Sequence, residues 1–236
     1  METRSGGRDV TRVGGRLSLV IRVMFLAGGL VVVFFGLWFM RRDALKYLDW
    51  SPETFQRFWP NRVLLALHIV GAGVALLVGP IQFIPALRRA VPKLHRVIGW
   101  TYVIAVLVST PFAIRLATYS TCSLCVAPFV AWGSVTMLVT AAALITALRG
   151  SYRAHQDFMI RSCVLMYGFV LVRLDGHLIG TPLELPLASG ASRNPMLIWL
   201  AWTVPLLLVE VRVSWIPAVR RAFRPRRSGG MHSSPT

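Results

Sequence analysis

The chain has 236 residues, 55% of them hydrophobic and only 15% charged, and its 26 Lys and Arg against 9 Asp and Glu give a formal charge of +17. A soluble domain carries roughly 45–50% apolar residues, so the composition excludes an ordinary water-soluble globule. The basic residues sit in short clusters between apolar runs of about 20 residues, which makes them topology signals and leaves no nucleic-acid partner to expect.

The N-terminal segment carries Arg4, Arg8, Arg12 and Arg16 ahead of the first apolar run, about Leu19 to Met40. That run ends in Phe39-Met40-Arg41-Arg42 with no small-residue cleavage pattern, so it reads as an uncleaved helix rather than a removed leader. A polar segment follows, and then a second run from Val63 to about Leu87. The third is predicted from about Val97 to Ala117, and the fourth, about Val126 to Leu148, holds no charge at all. The fifth, about Phe158 to Leu178, has Arg161, Arg173 and Asp175 inside or near it; the sixth, about Pro195 to Ile216, has Glu210 and Arg212. Each is long enough to cross a bilayer as a helix, and lipid cannot satisfy any open backbone alternative. The expected fold is all-α, a polytopic bundle of six transmembrane helices spanning residues 19–217, with tails at 1–18 and 218–236.

Lys and Arg alternate unequally between the connecting segments. The N-terminal tail, Arg88-Arg89-Lys93-Arg96, Arg149 with Arg153, and the tail from Arg220 to Arg227 form the richer set. The positive-inside rule puts that set and both termini in the cytoplasm, as expected for a multi-pass protein of the cell membrane. The first external loop contains Ser51-Pro52-Glu53, an N-cap, a first-turn proline and an early acid. Phe55, Phe58 and Trp59 follow on one helical face, which suits a short helix on the outer membrane surface or an irregular loop with interfacial aromatics.

Ionisable residues at membrane depth are costly and therefore informative. The topology sorts four histidines into an outer pair, His68 and His177, and an inner pair, His95 and His155. At about 100° per residue, His155, Ser162, Met166, Phe169, Arg173 and His177 form one stripe on the fifth helix. Gly71, Ala72, Ala75 and Gly79 follow His68, and Gly99 follows His95, so small residues leave room for a flat cofactor beside each histidine. Two imidazoles on facing helices, space and a nearby cation are what a b-type haem needs. His68 and His177 would ligate the iron, and Arg173, Arg115 or Arg62 would meet the propionates. Glycines in membrane helices also serve close helix packing, and that reading stands beside the first.

His68-Ile69-Val70-Gly71 with Gly79-Pro80-Ile81-Gln82-Phe83, His95-Arg96-Val97-Ile98-Gly99 with Tyr102, and the run from His155 to Ser162 resemble the ordered signatures of a bacterial predicted membrane protein family, domain of unknown function 2306. That family is similar in layout to cytochrome b561-like bundles, which implies redox work by analogy only. Those cytochromes place histidines on four successive helices, whereas the fourth run here has none.

A different role for the inner motifs is capture of a headgroup phosphate or a quinone ring. His95, Arg96, Arg153, His155 and Arg161 would gather at the cytoplasmic rim, with Gln82 and Tyr102 as hydrogen-bonding partners. Glu210 reads as a structural charge partner or a proton-path carboxylate. Cys122 and Cys125 in the short outer loop form either a local disulfide or two thiols, and Cys163 reads as packing. No phosphate-binding glycine loop, His-Glu-x-x-His or Gly-x-Ser-x-Gly is present, so nothing points to an ATPase, a zinc protease or a serine hydrolase. Two functions follow. One is haem-based membrane electron transfer with other redox proteins. The other is a cofactor-free membrane protein that binds lipid, quinone or a small solute, or serves as an accessory subunit.

Overall fold

The computed structural model describes residues 30–31, 33–178 and 190–223, the side chains of 173–178 and 190–194 excepted. The expected tail at 1–18, the start of the first span, and the side chains of Arg173, Asp175, His177 and Arg193 lie outside the described residues.

Every described element is helical. Helix α1 (33–39) widens into a π-type turn at Met40–Ala44 and tightens again at Leu45–Leu48. Helix α2 (Pro52–Phe55) leads through a tight turn at Gln56–Asn61 into α3 (Arg62–Val78). A second tight turn at Pro80–Phe83 and α4 (Pro85–Ala90) connect to α5 (Pro92–Ala117). Then come α6 (Val126–Leu148), α7 (Tyr152–Leu178), α8 (Gly190–Glu210), a π-type turn at Val211–Trp215, and α9 (Ile216–Ala222).

Among the described residues, four stretches are long and apolar enough to cross a membrane: Pro52–Phe83, Pro92–Ala117, Ser123–Leu148 and Pro195–Ala222. Helix α7 has the length of a span, but Arg153, Asp157, Arg161, Arg173 and Asp175 lower its hydropathy.

Local chemistry sets the ends. Ser51 caps α2 as its pattern suggests, its Oγ accepting from Thr54 N at 3.3 Å with Pro52 in the first turn. Asp49 braces the cap by accepting from Ser51 Oγ (2.9 Å) and Thr54 Oγ1 (2.8 Å). These hydroxyls hold the Asp49 carboxyl below its ordinary range, the Thr54 bond foremost. Helix α6 ends in a Schellman arrangement in which Gly150, at φ 72°, takes the left-handed position. Ser151 N donates to Thr146 O (2.9 Å) and Gly150 N to Ala147 O (3.0 Å), which turns the chain straight into α7.

The first loop departs from a helix lying flat on the membrane. Phe55 is buried against Leu65 and Leu116, with the rings of Tyr47, Trp50 and Trp59 around it at 5.1, 5.0 and 6.0 Å. An aromatic that can plug the end of a bundle removes more apolar surface there than on a headgroup layer.

Successive helices pack as neighbours from α3 to α5, α6, α7 and α8, and α7 also reaches back to α3, where Tyr167 Oη donates to Leu76 O (2.8 Å). Helix α1 lies on α3 and α7 through Met40 against Gly73 and Phe39 against Phe169. The centre is polar where three helices meet. Tyr102 Oη on α5 bonds Ser162 Oγ on α7 (2.9 Å), and Thr140 Oγ1 on α6 bonds the same Ser162 (2.7 Å). In lipid such bonds hold helices together where the hydrophobic effect between them is absent.

Candidate functional site

The small residues of α3 do not leave a slot for a flat ring. A Cβ on Gly71 would lie 2.7 Å from Ser109 Cβ, and one on Gly79 would lie 3.1 Å from Tyr102 Cε2, so α5 fills this face. Ala75 is buried in the same seam, and Gly99 lies against the Gln82 amide. Gly71, Ala75 and Gly79 therefore serve close helix approach rather than the expected cofactor space, whereas Ala72 faces the cavity beyond.

Room opens one face further round. A cavity of about 290 Å³ lies between α1, α3, α5, α6 and α7 in the half of the bundle that holds Cys122 and Cys125. Ala72, Gly73, Ala113, Leu165, Met166 and the rings of Phe39, Phe129, Trp132 and Phe169 make it mainly apolar. His68 lines it, edge-on to Phe169 with ring centroids 6.3 Å apart. His68 Nδ1 lies 3.2 Å from Ser109 O, and because a carbonyl only accepts, that nitrogen carries the proton.

Two wall hydroxyls and the indole are spent on main-chain carbonyls. Thr110 Oγ1 donates to Val106 O (2.7 Å), Thr136 Oγ1 to Trp132 O (2.8 Å) and Trp132 Nε1 to Leu165 O (3.0 Å). At one end stand Asp43, Ser120 and the exposed Lys46 and Arg57. The chamber thus offers an apolar body and a charged entrance, at the lower edge of the roughly 300–1,000 Å³ usual for small-molecule sites.

On α7, Ser162, Met166 and Phe169 face inward together, as the stripe reading requires. His155 begins the same helix, its Nδ1 donating to Ala143 O (2.8 Å).

Of the predicted headgroup cluster, His95 and His155 lie close enough to interact electrostatically, while Arg161 is drawn into a structural ion pair. Arg161 forms a bidentate ion pair with Glu210 on α8: Nε donates to Oε1 and Nη2 to Oε2 (3.0 Å). Its remaining donors reach Ser214 Oγ (2.7 Å) and Asp157 O (2.9 Å), and its guanidinium lies over the Phe158 ring at 5.5 Å. The π-type turn after Glu210 brings Ser214 back onto the carboxylate, where its Oγ donates to Oε2 at 2.7 Å. Glu210 thus pairs across helices rather than with Arg212.

Tyr102 is buried mid-bundle with its hydroxyl on Ser162, so it is not a rim residue. Gln82 is buried too. With its oxygen accepting from Gly99 N (3.2 Å), its NH₂ donates to His95 Nδ1 (2.9 Å) and His95 O (3.2 Å). Only Arg96 and Arg153 of that cluster remain exposed, alongside Arg88, Lys93, Arg149, Arg220 and Arg221 at the same end.

At the opposite end the cations rest on rings: Arg42 on Trp38 (5.2 Å), Arg57 on Phe58 (4.8 Å), Arg62 on Trp59 (4.5 Å) and Arg115 on Tyr119 (4.9 Å). Arg62 and Arg115 are therefore engaged locally.

Cys122 and Cys125 are disulfide-bonded, and Cys163 is a free thiol on α7. Among the described residues no group of three or more His, Cys, Asp or Glu gathers around a point. Among the described side chains, a haem in the cavity would find one imidazole, that of His68. His68 is anchored through Nδ1 on a carbonyl, as ligating histidines are. The rest fits poorly, because a volume of about 290 Å³ is small for a macrocycle.

The cavity walls on α5 and α6 went unread in the sequence. Ala113, Trp132 and Thr136 are ordinary membrane-helix residues, and only the angular relation between helices makes them one surface.

Fold and site together define a multi-pass helical membrane protein with an internal apolar chamber. The chain matches the family of predicted membrane proteins DUF2306 over residues 65–213, most of its length, and belongs to that family. No curated protein and no solved structure matches it.

Proposed function

We propose that this protein is a cofactor-free membrane protein that binds a small amphipathic molecule, of the quinone or lipid class, in the cavity beside His68. The observation that carries the reading is the cavity itself: an apolar chamber of about 290 Å³ walled by helices, with Lys46 and Arg57 at its entrance. An apolar chain or ring gains by burial at roughly 25 cal/mol per Å², while a polar head is held at the entrance. The basic end with Arg88, Lys93, Arg96 and Arg153 faces the cytoplasm in this reading, by the positive-inside rule. Six spans then place both termini there.

A ligand that binds only the folded state raises its stability by mass action. Addition of a short-chain benzoquinone or a single-chain phospholipid to the purified protein should raise its Tm. Ala113→Phe, which fills the chamber, should remove that response while retaining the fold. No shift in the wild type with either compound class refutes the reading.

A second reading, electron transfer through a b-type haem on His68 and His177, is favoured by the anchored Nδ1 of His68. It requires a reduced-minus-oxidised haem absorbance that His68→Ala abolishes. A colourless, folded preparation eliminates it.

A further inference from the structure

The structure points to the Cys122–Cys125 pair as a thiol–disulfide exchange site, and we infer that it passes two electrons to a quinone in the adjoining cavity. The second half of this inference rests on the cavity reading above; the first half does not.

The two sulfurs stand in unequal surroundings. Cys125 is buried in a core cluster with Trp132, Leu165 and Trp202, whereas Cys122 is only partly covered, beside the exposed Thr121, Ser123 and Leu124. An incoming thiol therefore has one sulfur to attack. The pair opens directly into α6, with Cys125 at its N-cap, so the positive end of a long helix lies beside the sulfurs.

A cation stands there as well: Arg57 Nη1 donates to Oγ1 of Thr121, next to Cys122, at 2.9 Å. A helix N-terminus and an arginine near a partly exposed cysteine favour the thiolate, the form that reacts. A structural role explains the pair less well. Its ends are three residues apart, and closing so short a loop removes little entropy from the unfolded chain.

The site adjoins the cavity. Ser120 lines the chamber and its Oγ accepts from Cys122 N at 3.2 Å; Arg57 both lines the chamber and holds the cysteine loop. Phe129 belongs to the cavity wall and to the apolar cluster around the disulfide.

The chemistry balances in two halves. In the first, a substrate thiolate attacks Cys122 Sγ, the Cys122–Cys125 bond breaks, and Cys125 leaves as a thiolate that takes a proton. A second substrate thiol then attacks the substrate sulfur of the mixed disulfide and releases Cys122. One substrate dithiol has become a disulfide, and the protein holds two thiols.

In the second half, the Cys122 thiolate adds to a quinone ring carbon, and Cys125 sulfur attacks Cys122 sulfur. The carbon–sulfur bond breaks, and the electron pair leaves with the ring. The ring takes up two protons, one from each thiol, and departs as quinol. The disulfide is restored.

Reconstituted full-length protein should be equilibrated with mixtures of reduced and oxidised glutathione, and its free thiols counted. The pair should open and close reversibly across the mixture, and Cys125→Ser should trap glutathione on Cys122. Anaerobic addition of a short-chain benzoquinone to the reduced wild type should then yield one quinol per protein and restore the disulfide. A pair that stays closed in a large excess of reduced glutathione overturns the exchange site and leaves the cavity reading intact. Exchange without quinol formation overturns the electron transfer. The Tm response of the wild type and Ala113→Phe, which involves no cysteine, reports on the cavity separately.

Discussion

Tyr102 of α5 and Ser162 of α7 meet through a 2.9 Å hydrogen bond at the centre of the bundle, and Thr140 of α6 closes on the same hydroxyl at 2.7 Å. Removing only the Tyr102 hydroxyl leaves Ser162 with Thr140, so Tyr102→Phe should cost about 1 kcal/mol. Tyr102→Ala also empties the ring volume and should cost about 3–5 kcal/mol. Denaturant titration of the reconstituted protein measures both. Equal losses would show that the hydroxyl, not the ring, is the tie.

Arg161 and Glu210 predict a non-additive pair. Their side chains are 12% and 32% exposed, so either one alone is partly desolvated at membrane depth. Arg161→Leu or Glu210→Leu should each cost about 1–3 kcal/mol by stranding the other charge. The double variant should lose less than the sum. Simple additivity in a double-mutant cycle would mean that the two groups contribute independently.

Two glycines should respond for different reasons. Gly71→Ala drives a Cβ into Ser109 and should cost about 1–3 kcal/mol by parting α3 from α5. Gly150→Ala meets open space but must hold φ near 72°, which should cost about 1 kcal/mol without disturbing any helix contact. Cross-linking yield between α3 and α5 should fall in the first variant and stay unchanged in the second.

The Asp49 brace should loosen in acid. Its carboxyl is held below the ordinary range by the Thr54 and Ser51 hydroxyls. The stabilisation is therefore fully present above the unfolded-state value and is lost as pH falls through the lowered folded-state value. The protection factor of the Thr54 amide should fall over that acid window, and Asp49→Asn should remove this pH dependence of the protection.

The α5 and α6 spans are legible from apolar run length alone, because lipid leaves the backbone no alternative to a helix, whereas the run from Val63 to Leu87 breaks after Val78 into a tight turn and α4. The α2 cap could be read at Ser51-Pro52, and the inward stripe of α7 from its period. What lay beyond the sequence was pairing between helices. Gly71 signals a small surface, but whether Ser109 or a ligand meets it depends on how α5 crosses α3. Arg161 reads as basic rim until Glu210, far along the chain, arrives beside it. Gln82 and Tyr102 stand out in the sequence as polar residues in or beside apolar runs. Their engagement with His95 and Ser162 is tertiary.

Native mass spectrometry of the protein released gently from detergent reads the occupancy of the cavity. The wild type should carry one bound molecule of a single amphipathic class, and Ala113→Phe, equally folded, should carry none. A wild type that emerges bare, or an Ala113→Phe variant that retains the same bound mass, would contradict a ligand chamber beside His68.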